Sequence, residues 1–134
     1  MPFLRDVTLI IKTFERRDAL CSLLDSIRAC GWDELPILIA DDSQNPYKEY
    51  ILKHYGDIVD GYLLLPFDSG LSRGRNELLC RVKTKYFVLN DDDFIYDQRT
   101  RLRWMYDRLE RTDIELLGGM VYDVNRVQWP DLKG

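Results

Sequence analysis

Cysteine is scarce in this chain of 134 residues, and the three present, Cys21, Cys30 and Cys80, include no C-x-x-C pair. An odd number at these spacings offers neither a disulfide framework nor a zinc-ligand set, so reduced, mostly buried thiols are expected. Histidine is rarer still. His54 stands alone, without a neighbouring cysteine or a second histidine, and reads as structural. Positive charge is not in excess: 19 Lys and Arg face 23 Asp and Glu, a net charge of −4, so no nucleic-acid partner is expected. No apolar run approaches the ~18 residues of a membrane span, and the N-terminus lacks a charged-then-apolar leader pattern. The expectation is a soluble chain without a membrane segment, with a cytoplasmic setting favoured. Two nucleotide signatures are also missing. No G-x-G-x-x-G follows the first apolar run, which argues against a dinucleotide-binding domain, and no G-x-x-x-x-G-K-[ST] occurs, which argues against a P-loop.

What is there suffices for a folded domain. With 46% hydrophobic and 31% charged residues the chain is too apolar for intrinsic disorder, and its length can bury a core without disulfides. A single domain over residues 1–134 is expected. The closing run from Trp129 to Gly134 carries no helix stop or polar tail, so the expectation is that it is an excerpt of a longer protein.

Apolar, β-branched runs alternate with amphipathic ones. Val7 to Lys12 reads as a strand buried on both faces, followed by a polar loop and a helix from Asp18. That helix carries Leu20, Leu23, Leu24 and Ile27 on one face, with Asp18 as its expected N-cap and Gly31 as its stop. Strands are expected at Pro36 to Ala40, Gly61 to Phe67, Lys85 to Leu89 and, interrupted by Gly118-Gly119, Glu115 to Val124. Helices are expected at Pro46 to Tyr55, Leu71 to Val82 and Gln98 to Arg111, the last with Leu102, Met105 and Leu109 inward. This alternation predicts an α/β fold, a mostly parallel open sheet with helices on both faces. Ligands bind such sheets beyond the carboxyl ends of the strands. Thr13 to Arg16, Asp41 to Ser43, Asp68 to Asn76 and Asp91 to Asp93 each follow a predicted strand, so all should converge on one edge.

Asp91, Asp92 and Asp93 are three adjacent carboxylates that repel one another unless a counter-charge is supplied. A divalent ion, Mn²⁺ or Mg²⁺, would supply it, held by one or two carboxylates plus the phosphates of a substrate. If the strand's alternation continues, Asp91 and Asp93 share a face and Asp92 takes the other. The plainer reading is a solvated loop capping the next helix. Asp41-Asp42-Ser43 is either an Asx-turn or a carboxylate site for a base N–H or a ribose hydroxyl. Asp68 to Asn76, with Arg73 and Arg75 at a helix start, suits an anion or a base carbonyl, or is a glycine turn with solvated arginines. Gly118-Gly119 reads as a bulge or as a close approach to a sugar. Trp104, Met105 and Tyr106 read as core.

Together, VTLIIKTFER, ILIADDS, PFDSGLSRGRN and TKYFVLNDDDF resemble, in this order, the nucleotide-diphospho-sugar glycosyltransferases of the GT-A fold, family 2 and its β-1,4-N-acetylgalactosaminyltransferase-type relatives. The resemblance implies a metal-dependent, inverting transfer from a nucleotide-diphosphate sugar, UDP-sugar favoured, to a hydroxyl of a carbohydrate or glycoconjugate acceptor. It implies that Thr13, Phe14 and Glu15 help seat the nucleoside, that Asp42 reads the base N–H, and that Arg75 lies near the base or diphosphate. Asp91 would touch the ribose or the metal, Asp92 would complete the donor site, and Asp93 would ligate the metal as the last acid of D-x-D. Two departures stand out. The family's Pro-x-Tyr-Asn flavour is replaced by Lys12-Thr13-Phe14-Glu15, and the catalytic base, usually supplied well after D-x-D, is unassigned. Asp123 and Asp131 are candidates for the base that no spacing favours. The alternatives are a non-catalytic nucleotide-sugar-binding module lacking the acceptor half, and a phosphatase using an aspartyl nucleophile, which would leave Asp42 and the Gly-Arg-Asn helix start unexplained.

Overall fold

The computed structural model describes residues 2–122, in the order α1 (Pro2–Asp6), β1 (Val7–Thr13), α2 (Arg17–Ala29), β2 (Ile37–Asp41), α3 (Lys48–Tyr55), β3 (Gly61–Leu64), α4 (Leu71–Leu79), β4 (Tyr86–Asp91) and α5 (Leu102–Arg111). The chain divides into two compact units, Met1–Thr100 and Arg101–Gly134. Every candidate site residue through Asp93 belongs to the first.

The core grows from β1, all seven residues of which are buried, as its unbroken apolar run requires. It pairs in parallel with β2, matching Thr13 to Asp41, and on its other side with β4, matching Lys12 to Asp91. With β3 beside β2, the sheet order is β3-β2-β1-β4. Right-handed crossovers then set α2 and α3 on one face and α4 on the other. The bond from the Tyr55 hydroxyl to Asp25 (2.9 Å) ties α3 to α2, and on the opposite face Leu78 of α4 packs with Ile10 and Ala40. The order reverses between β1 and β4. That reversal opens a crevice at the carboxyl ends of these two strands, the place where open α/β sheets hold their ligands.

Several boundaries differ from expectation for local reasons. Helix α2 is capped by Arg16, without a side-chain bond, and Asp18 sits inside the first turn, where its charge favours the helix dipole. Its end is as expected: Gly31 takes φ +79°, and the Trp32 and Gly31 N–H groups bond back to Ile27 and Arg28. Strand β3 stops at Leu64, short of Pro66, which has no N–H for a ladder.

No fifth strand forms among the described residues. Positions 114–122 are irregular and pair with no strand, and Leu116, Met120 and Val121 are 87%, 82% and 70% exposed. The apolar run found no partner edge, and Gly118-Gly119 weakens any extended preference. Residues 123 and 124 of that expected strand, and Asp131, lie outside the described residues. In the second unit, α5 buries Leu102 and Tyr106, while Trp104, expected in a core, is 45% exposed.

Candidate functional site

The loop leaving β1 is fixed from two sides. Tyr47 places its hydroxyl against the Thr13 hydroxyl and accepts the Arg16 N–H (3.3 Å). Glu15 adopts φ +56°, a left-handed conformation that costs a non-glycine residue energy and is held by neighbours. Its N–H donates to the Ser43 hydroxyl (2.7 Å), and its carboxylate accepts the Gln44 N–H (2.6 Å). The loops after β1 and β2 are therefore laced together through Glu15. Asp41 takes the bland role open to it: an Asx-turn, accepting the Ser43 N–H (2.8 Å) and a bond from the Tyr62 hydroxyl (2.5 Å).

Asp42 is 1% exposed. One of its oxygens receives the Lys12 ammonium and the other the Gly70 N–H (2.9 Å), so both are already engaged. Burial pushes its carboxyl up, but the Lys12 hydrogen bond, the Gly70 N–H and the Lys12 charge outweigh that and hold it below its ordinary value. The Asp42 carbonyl accepts the Asp68 N–H (3.0 Å), which pins the turn carrying Phe67. Phe67 is 58% exposed and lies against Phe14, with ring centroids 5.9 Å apart. The pair forms an apolar rim.

Strand β4 ends at Asp91 and the chain turns, with the Phe94 N–H bonded to the Asp91 carbonyl (3.1 Å). The alternation that would put Asp91 and Asp93 on one face stops there. Asp91 pairs with Arg75 of α4 (2.9 Å), whereas Asp92 and Asp93 both approach Arg16, at 3.7 and 3.0 Å. The Asp92 carboxylate also receives the Thr13 hydroxyl (3.0 Å) and the Phe14 N–H (3.4 Å). Burial raises the Asp92 carboxyl above its ordinary value, with Asp93 adding to the rise, against the lowering effects of Thr13, Phe14 and Arg16. On either side of the triplet the chain is anchored: buried Asn90 bonds the Ile10 carbonyl (3.3 Å) and accepts the Tyr96 hydroxyl, and the Tyr96 N–H reaches Ser26 (2.9 Å).

The structure thus brings Thr13, Phe14, Arg75 and Asp91 to Asp93 together at the β1/β4 crevice, and holds Glu15 and Asp42 on the neighbouring β2 side of the same sheet edge. It adds Lys12, Tyr47 and Phe67, to which sequence reasoning gave no role, and it gives Arg16, expected at this edge, Asp92 and Asp93 as partners. A lysine closing a strand buried on both faces must find an anion, and that signal could have found Lys12. Among the described residues no three His, Cys, Asp or Glu side chains form a ready-made metal cage. The chemistry of the residues is nevertheless compatible with a hard divalent ion: the Asp91 and Asp93 side chains are half-exposed carboxylates, and such ions take one or two carboxylates with substrate phosphates. An open cleft of about 950 Å³, lined by Glu15, Arg16, Tyr47, Tyr50 and Leu64 among others, adjoins the crevice at Arg16 but does not include the acid triplet. The charged chemistry, rather than cleft size, locates the site. No helix among the described residues is long and apolar enough to cross a membrane.

Comparison with known proteins gives a consistent picture. Residues 8–133 match the family model described as Glycosyl transferase family 2. Human Beta-1,4 N-acetylgalactosaminyltransferase 1 is 41% identical over 119 residues, covering 89% of this chain and 21% of that protein. Mouse Beta-1,4 N-acetylgalactosaminyltransferase 2 is 37% identical over 115 residues, 86% of this chain and 21% of that protein. The chain spans about a fifth of the length of these relatives. Among solved structures, S. aureus TarS 1-349 superposes with a TM-score of 0.62 at 17% identity, over 75% of this chain and 31% of that one. The mannosyltransferase PcManGT from Pyrobaculum calidifontis, in complex with GDP-Man and Mn²⁺, gives 0.59 at 20% identity over the same shares. These two likenesses establish the GT-A type of fold.

Proposed function

Because the chain belongs to the glycosyl transferase family 2, we propose that it forms the donor-binding part of an enzyme that transfers a sugar from a nucleotide diphosphate to an acceptor hydroxyl, with Mn²⁺ or Mg²⁺ at Asp91 and Asp93. One observation carries the reading: the β1 loop and the acid triplet meet at the sheet's switch point, joined by Thr13 and Phe14 to Asp92. Thr13, Phe14 and Glu15 seat the nucleoside, with Phe14 and Phe67 offering apolar ring surface. Asp42 serves the base side, with Lys12 and the Gly70 N–H as its fixed partners, and Arg75 lies on the diphosphate side beside Asp91. The bound ion would act as Lewis acid toward the leaving diphosphate. An inverting transfer also needs a carboxylate base for the acceptor hydroxyl, and none is assigned within the described residues.

UDP is the favoured nucleotide, supported by the likeness to N-acetylgalactosaminyltransferases. GDP is the second reading, on the strength of a structural neighbour that holds GDP-Man. The deciding experiment is the thermal midpoint of the chain with UDP, GDP and CDP, each with and without Mn²⁺, since a ligand that binds only the folded state raises it. A Mn²⁺-dependent rise with one nucleotide is expected; no rise with any of them would overturn the proposal.

A further inference from the structure

Arg16 is the most telling residue that the donor-site reading leaves without a task. Its backbone is fixed, with its N–H on the Tyr47 hydroxyl (3.3 Å) and its carbonyl accepting the Leu20 N–H (3.0 Å). Its side chain is 57% exposed and reaches Asp93, itself 54% exposed, at 3.0 Å. It also lines the open cleft beside the crevice. A rigid pivot with a solvated arm is the arrangement of a group that can change partners.

We propose that Arg16 is a diphosphate-binding residue that trades partners: it neutralises Asp93 in the ligand-free protein and passes to the donor's phosphates when a divalent ion takes that carboxylate. The inference rests on the donor-site reading above. Asp91 has Arg75, and Asp92 has the Thr13 hydroxyl and the Phe14 N–H with Arg16 more distant at 3.7 Å, whereas Asp93 has Arg16 at 3.0 Å. Both members of the Arg16 pair are more than half exposed, so the pair is weak, screened by salt and readily given up to a divalent ion. The released guanidinium then stands within a side chain's reach of phosphates bound at the same carboxylate. Its planar fork suits their oxygens. Arg75 differs in being less exposed and in facing Asp91 from α4.

A partner-trading cation leaves a signature of opposite signs. Mn²⁺ alone competes with Arg16, whereas Mn²⁺ with nucleotide recruits it. The test is titration of Mn²⁺ into the whole chain, native and Arg16→Gln, following free Mn²⁺ by its paramagnetic resonance signal. It is done first with Mn²⁺ alone and then with whichever of UDP or GDP raises the native midpoint. Arg16→Gln is expected to bind Mn²⁺ alone about two- to fivefold more tightly, the gain from removing a weak exposed competitor. It is expected to bind Mn²⁺ with nucleotide about tenfold more weakly or worse, the loss of a charge-assisted contact. Arg16→Lys, which keeps the charge but loses the fork, should fall between on the second count. Shifts of the same sign, or no shift in either titration, would overturn the role of Arg16 while leaving the donor site intact. A native chain that binds no nucleotide with Mn²⁺ would remove the donor site and this inference together.

Discussion

Lys12 and Asp42 form an ion pair whose side chains are only 5% and 2% exposed, at the carboxyl end of two neighbouring strands. Asp42 also holds the Gly70 N–H, so the pair joins β1, β2 and the start of α4. Removing one partner strands a buried charge. Asp42→Asn should therefore cost about 3–5 kcal/mol in urea unfolding. The pH dependence has a definite sign. The folded carboxyl lies below its ordinary value, so its stabilisation is full above the unfolded pKa and is lost as pH falls through the folded one. Acid unfolding of the native chain should be steeper than that of Asp42→Asn. An unchanged midpoint in the variant at neutral pH would show that the pair is not structural.

Gly74 explains how a lysine fits beneath a helix. A Cβ built there would lie 2.3 Å from Lys12 Cδ and 2.4 Å from its Cε. Alanine would ordinarily strengthen a helix interior by up to ~1 kcal/mol. Here the methyl collides with a buried, ion-paired side chain that has nowhere to go, and overpacking costs about 1–3 kcal/mol. Gly74→Ala is thus expected to lower denaturant stability, with the reverse sign to that of an ordinary helical glycine. A stabilised variant would mean that Lys12 can leave Asp42 freely.

The local signals that were legible in the sequence are those written in period and punctuation. The unbroken run of β1, the Leu20 to Ile27 stripe of α2 and the Gly31 stop all stand where the pattern puts them. So does the gathering of polar loops at one sheet edge. Partnership was illegible. Nothing local says that Asp92 turns to Thr13 while Asp91 turns to Arg75, because that depends on where the chain turns after β4. The Glu115 to Val124 pattern fits a strand equally well, but a strand exists only in a ladder, and positions 114–122 form none. The Lys12 and Gly70 partners of Asp42 and the packing of Phe67 on Phe14 likewise depend on segments far apart in the chain.

Asp92 should trade stability for function. Its side chain is 10% exposed and burial raises its carboxyl, so at neutral pH the folded state carries a charge that it would rather lose. Asp92→Asn keeps an oxygen to accept from Thr13 and Phe14 while removing that charge, and is expected to raise the ligand-free thermal midpoint at pH 7. A group whose folded pKa is raised favours the fold most below its unfolded pKa and loses that contribution as pH rises through the folded value. The gap between Asp92→Asn and the native chain should therefore narrow on acidification. A gap that widens as pH falls would contradict the assignment, since it would mean that the carboxylate is favoured in the fold.

Asp93→Ala separates a metal ligand from a surface acid. Its present partner is an exposed arginine, and such pairs contribute about 0–1 kcal/mol, so the ligand-free midpoint should barely move. A nucleotide held through an ion at Asp93 and present at a hundredfold excess over its Kd stabilises the native chain by about 2.7 kcal/mol. In Asp93→Ala that gain should disappear, because Asp91 alone, already paired with Arg75, is a poor anchor for the ion. Calorimetry of both chains with Mn²⁺ and UDP reads the difference directly. A rise as large in Asp93→Ala as in the native chain would move the ion away from Asp93, and with it the reason for Arg16 to change partners.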